Sequence, residues 1–69
     1  MPFVNIKLTR EGGGLTTEQK DTLIAGATKL LVDVLGRGEA TTVVIIEEVD
    51  TDNYGIAGES VTQRRKKGK

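Results

Sequence analysis

Histidine, cysteine and tryptophan are all absent from these 69 residues. Without the first two there is no disulfide, no zinc site of the ordinary kind and no His- or Cys-based nucleophile pair. Phenylalanine and tyrosine occur once each, so the core has to be aliphatic and small. No segment approaches the ~20 apolar residues that cross a membrane. The opening stretch MPFVNIKLTR alternates polar and apolar residues where a secretory leader would be continuously apolar, so a cytoplasmic protein is expected. Proline occurs once, at Pro2, directly before the first apolar stretch.

A chain this short forms one domain and buries only about 60% of its unfolded surface, which makes it marginal alone. Disulfide and zinc being excluded, self-association is the expected stabiliser. Charge is balanced in total but unevenly placed. The last six residues, RRKKGK, hold five of the ten basic side chains, leaving residues 1–63 with five basic against ten acidic, a net of −5. An acidic body argues against a nucleic-acid surface. Residues 1–63 are therefore expected to form the domain, and residues 64–69 a basic tail without fixed structure.

Three periodic segments organise the body. In residues 3–9, Val4, Ile6 and Leu8 fall on one side and Phe3, Asn5, Lys7 and Thr9 on the other, the period of a strand. REGGG interrupts the pattern. A helix is expected from about 17 to 35, with Thr16 and Gln19 as a capping box and Gly36 as a left-handed stop. Its apolar residues Leu23, Ile24, Ala27, Leu30, Leu31, Val34 and Leu35 share one broad face. TTVVIIEEV, residues 41–49, is apolar without alternation, as in a strand covered on both faces. Strand, helix and strand make one right-handed βαβ unit of class α/β. Its helix covers one face of the sheet, and the other face must find a second subunit. Beyond Asp50, DTDNYGIAGES is rich in turn residues and reads as a short hairpin or an arm.

Proline at the head of a strand is structurally ordinary, because a missing N–H is tolerated there. Removal of Met1 would change its chemistry. Pro2 would then carry a secondary amine in place of an amide nitrogen. An N-terminal amine titrates near 8 or below, and apolar surroundings lower that value further. A neutral amine near working pH serves as a general base or attacks a carbonyl.

The stretches MPFVNIKL, TTEQKDTLIAG, TTVVIIEEV and NYGIAGES, in that order, resemble the 4-oxalocrotonate tautomerase family. The resemblance implies a β-α-β subunit with a C-terminal arm, a dimer with a four-stranded sheet, and commonly a hexamer made as a trimer of dimers. It implies that Pro2 moves a proton between oxygen and carbon of a small enol or 2-oxo acid, with no cofactor and no metal. It places Tyr54 where the family has a pocket-lining aromatic. Two substrate-binding arginines of the family fall at Leu15 and Val43, so both are missing from their expected positions. Arg10 and Arg65 are the candidate replacements for substrate binding, Arg10 at the strand's end and Arg65 as a loose match to C-terminal arginines of the family. Glu47 and Glu48, at the end of the second strand, are expected to be solvated. Two alternatives stand beside the isomerase reading. One is a hydration or dehalogenation that uses the same proline. The other is a non-catalytic subunit of a mixed oligomer whose partner supplies the arginines.

Overall fold

The computed structural model describes residues 2–68. Met1, whose removal the proline chemistry requires, lies outside the described residues, as does Lys69 at the end of the tail.

Strand β1 spans Phe3–Thr9, helix α1 Thr17–Leu35 and strand β2 Val43–Val49. The two strands pair in parallel, and their register fixes two faces. Val4 lies opposite Val44, Ile6 opposite Ile46 and Leu8 opposite Glu48. These half-buried positions face α1. The opposite face carries Phe3 beside Val43, Asn5 beside Ile45 and Lys7 beside Glu47. Only polar side chains bond across it, with Asn5 Nδ2 donating to Glu47 Oε1 at 2.8 Å.

Helix α1 begins and ends as its sequence dictates. The Gln19 N–H donates to Thr16 Oγ1 and the Thr16 N–H donates back to Gln19 Oε1, so both orphan donors are satisfied. Gly36 closes the helix in the left-handed conformation, its N–H bonded to the Val32 carbonyl. Along the apolar face only Ala27 and Leu31 are half-buried, while Leu23, Ile24, Leu30, Val34 and Leu35 remain exposed. Two strands about 4.8 Å apart are narrower than a helix about 10 Å across, so the sheet cannot cover that face.

After β2 a single 3-10 turn, Thr51–Asn53, leads into a small antiparallel hairpin of β3 (Gly55–Ile56) and β4 (Glu59–Ser60). Its two-residue turn holds Ala57 at φ 53° and Gly58 at φ 86°, the paired left-handed residues that two-residue hairpins favour. Helix α2, Val61–Lys66, follows directly, with Ser60 Oγ accepting from the Gln63 N–H. It crosses the boundary that charge alone draws between body and tail. The cap at Ser60 and the seating of Val61, whose N–H donates to the Tyr54 carbonyl at 2.8 Å, carry the helix into the basic run.

Val61 is the only buried apolar side chain among the described residues. The radius of gyration is 15.3 Å, against about 11 Å for a globule of this length. The accessible surface is 5074 Å², against about 4200 Å² for a folded monomer of this mass. The radius reflects an elongated chain, 45 × 25 × 16 Å along its principal axes, and the extra surface reflects the uncovered helix face and the uncovered sheet face with Phe3, Val43 and Ile45.

Candidate active site

Pro2 stands at the head of β1, where its carbonyl accepts the Val43 N–H at 2.9 Å and ties it to the head of β2. Its ring lies against the turn that joins α1 to β2. A methyl group added at Gly38 would come within 3.4 Å of Pro2 Cγ, 3.7 Å of Pro2 Cδ and 3.3 Å of Thr42 Oγ1. Gly38 also sits at φ 96°, where a side chain is strained, so glycine is required there twice over. Its carbonyl is fixed by three donors: the N–H groups of Thr41 and Thr42 and the Thr42 hydroxyl at 2.6 Å. The proline ring therefore rests on a rigid turn.

The remaining candidates gather at the opposite end of the sheet. Seven residues of β1 separate Pro2 from Arg10, about eight steps that span about 26 Å at strand geometry. The Arg10 guanidinium donates to Asp50 at 2.9 Å. Arg65 reaches back from α2 and holds Glu11 through two parallel bonds, 2.9 and 2.7 Å. Tyr54 follows the 3-10 turn at the same end, its carbonyl bonded to Val61. Within one chain, then, Arg10, Tyr54 and Arg65 share an edge of the sheet and Pro2 occupies the other. Pro2 lines neither the hollow around Leu15 and Gln19 nor the one around Thr28 and Glu39 on the helix surface.

The Glu11 carboxyl is pulled down to about 2 from an ordinary 4.5, first by the hydrogen bonds from Arg65 and then by the one from Thr9. Arg65 is raised correspondingly by the same partner. Both groups are open to water, so this ion pair orders the edge without a large energetic role.

Glu48 departs from its expected solvation. Its side chain is 10% exposed and turned under the glycine loop. Oε2 accepts the Leu15 N–H at 3.0 Å and Oε1 lies 3.5 Å from Lys20 Nζ. The alternation of β2 accounts for this, since Glu48 falls on the helix side together with Val44 and Ile46, and Glu47 on the open side. Gly14 makes the approach possible, because a Cβ there would meet Glu48 Oε2 at 2.8 Å. The period of β2 was readable in the sequence, but the loop lying over its end was not. Among the described residues no group of three or more His, Cys, Asp and Glu is placed to hold a metal ion. No described helix is long and apolar enough to cross a membrane.

A parallel βαβ unit with a proline ring seated at the head of β1, and with apolar faces open on both layers, is the subunit architecture of the small isomerases called tautomerases. The family model for tautomerase enzymes matches residues 2–64, and the chain belongs to that family. It is 68% identical over 65 residues to the probable tautomerase K2 of Dickeya dadantii (strain 3937), covering 94% of each chain. The crystal structure of DmpI from Helicobacter pylori superposes with a TM-score of 0.87 at 55% identity, covering 94% of this chain and 97% of that one. The 2-hydroxymuconate tautomerase of Bacillus subtilis (strain 168) is 36% identical over 62 residues, covering 90% of this chain and 95% of the relative. The chain is accordingly an isomerase of the 4-oxalocrotonate tautomerase family.

Proposed function

We propose that this protein, with Met1 removed, isomerises small enol or 2-oxo acids by using the Pro2 amine as a general base. The observation that carries the reading is the seating of the Pro2 ring on the Gly38–Thr42 turn, which holds the nitrogen in a fixed direction at the head of the sheet. Orientation of this kind removes much of the entropic cost of proton transfer. The neutral amine takes the proton of the enol hydroxyl. The oxygen's electron pair closes to a carbonyl and the double bond moves along the chain. The resulting ammonium then delivers the proton to carbon. The reaction is an isomerisation, in which atoms and electrons balance without any second reactant. The name of the Bacillus subtilis relative supports a 2-hydroxymuconate-like substrate.

The site is completed between subunits. Pro2 and the Arg10, Tyr54, Arg65 edge lie at opposite ends of one sheet, so a neighbour running the other way would bring its edge to this proline. The uncovered sheet face with Phe3, Val43 and Ile45, and the uncovered helix face, support a homo-oligomer. The proposed assembly is a hexamer built as a trimer of dimers, working in the cytoplasm.

The test follows ketonisation of 2-hydroxymuconate and of phenylenolpyruvate by absorbance, with intact-mass measurement to establish the loss of Met1. General acid–base catalysis contributes about a hundredfold or more, so Pro2→Ala is expected to lower kcat by at least that factor. Full activity in Pro2→Ala, or activity in a sample that retains Met1, ends the reading.

A further inference from the structure

The turn that seats Pro2 carries a cation that the sequence comparison with the family does not assign. Arg37 stands between Gly36 at φ 71° and Gly38 at φ 96°. Its Cα is one step of about 3.8 Å from the Gly38 Cα, and the position of a Gly38 Cβ is 3.7 Å from the Pro2 Cδ atom bonded to the ring nitrogen. Arg37 is exposed, and unlike Arg10 and Arg65 it has no ion-pair or hydrogen-bond partner among the described residues. The acidic residue next along the turn, Glu39, lines a hollow with Ala25, Thr28, Lys29 and Val32 on the α1 side. The Lys29 ammonium is already bonded to Asp33 at 2.7 Å. Lys7, five residues along β1 from the proline, is paired with Glu47 on the open face.

We propose that Arg37 is a substrate-binding residue, holding the carboxylate of the enol or 2-oxo acid beside the Pro2 amine and so replacing one of the two arginines missing at Leu15 and Val43. This rests on the reading of Pro2 as the reactive amine. An unpaired guanidinium offers a planar fork that matches a carboxylate with two parallel bonds. The long arm of arginine, carried on the turn against which the proline ring lies, has the reach to bring that fork to the proline from the same chain. The three bonds on the Gly38 carbonyl keep the base of the arm still. Selectivity for an acid over an uncharged ketone then comes from the subunit that supplies the base, whatever a neighbour adds.

The experiment measures alkylation of the Pro2 amine by bromopyruvate, a 2-oxo acid, and by bromoacetone, its uncharged counterpart. In each case nitrogen displaces bromide from the CH2–Br carbon, the C–Br electron pair leaves with bromide, and the product is located by mass spectrometry. Bromopyruvate is expected to react faster than bromoacetone with the wild-type protein. Arg37→Gln should lower the bromopyruvate rate about 10- to 100-fold, the worth of a charged hydrogen-bond pair, and leave the bromoacetone rate unchanged. Arg37→Lys should retain part of the preference, since charge remains and the fork does not. An Arg37→Gln variant that keeps the wild-type preference, or that slows both reagents equally, overturns the role of Arg37 while leaving Pro2 as the amine. A wild-type protein labelled at Pro2 by neither reagent overturns the proline reading, and the Arg37 proposal with it.

Discussion

The two ends of the β1–β2 sheet are built from the same parallel pair and are held in opposite ways. At the tail end three ion pairs tie the elements together: Arg10 with Asp50, Arg65 with Glu11, Lys20 with Glu48. At the head end the fixed bonds are those of backbone and hydroxyl, and the one charge on the turn between the flanking glycines, Arg37, has no partner among the described residues. Pairing spends a charge on geometry. A group meant for a substrate has to be left without a partner, while its backbone is fixed by other means. The head end meets both conditions, and the tail end meets the second by using up the first.

The sharpest way to break this contrast is to disturb the head without touching its charge. Gly38→Ala presses a methyl against the Pro2 ring and the Thr42 hydroxyl. Displacement of a reacting atom by a fraction of an ångström costs about tenfold in rate, so kcat for ketonisation is expected to fall by at least that factor. Gly36→Ala is the matched control. It meets the same positive φ, but an added Cβ there has nothing within 4 Å. Melting temperature should drop in both variants and kcat only in Gly38→Ala. An equal fall in kcat would mean that strain in the turn, not the seat of the ring, governs activity.

A substitution at the tail end tests the opposite role. Glu48→Ala removes the acceptor of the Leu15 N–H and the partner of Lys20 in a site that is 10% exposed. The loss expected from an unsatisfied, partly buried donor is about 1–3 kcal/mol, read from urea unfolding at fixed protein concentration. A Glu48→Ala protein as stable as the wild type would show that the glycine loop needs no anchor.

The smallest effect belongs to Glu11. Its carboxyl is depressed in the folded chain, so its contribution to stability is complete above the ordinary value of 4.5 and is lost as pH falls toward the folded value of about 2. The stability difference between wild type and Glu11→Gln should be constant above about pH 5 and shrink steadily below it. A difference that persists unchanged in acid would show that Arg65 holds something other than this carboxylate.

Much of this was legible in the residues. The period of two in residues 3–9, the Thr16–Gln19 capping box and the left-handed Gly36 each state a local rule, and β1 and α1 follow them. The seating of Pro2 and the availability of Arg37 were not legible. Both depend on the parallel register that brings Val43 to Pro2, a meeting of residues about forty positions apart. Glu48 illustrates the same limit, because its face followed from alternation while its partners came from the loop folding over it. The basic run after Gln63 reads as a solvated terminus by charge, yet a serine cap and one buried valine turn its first residues into a helix. Which arginine serves the substrate is a question of partners, and partners are set by the fold.

Val61, the single buried side chain among the described residues, carries a consequence for every measurement on this protein. In the proposed homo-oligomer most of the apolar surface that holds the fold together is covered by other copies of the chain, so unfolding is also dissociation. Its midpoint then follows mass action: diluting the sample tenfold lowers the apparent melting temperature, and a ligand bound between copies raises it. Two variants assayed at different concentrations are two different proteins in this respect. Activity that fades on dilution into a cuvette reports subunits parting before it reports any injury to the proline.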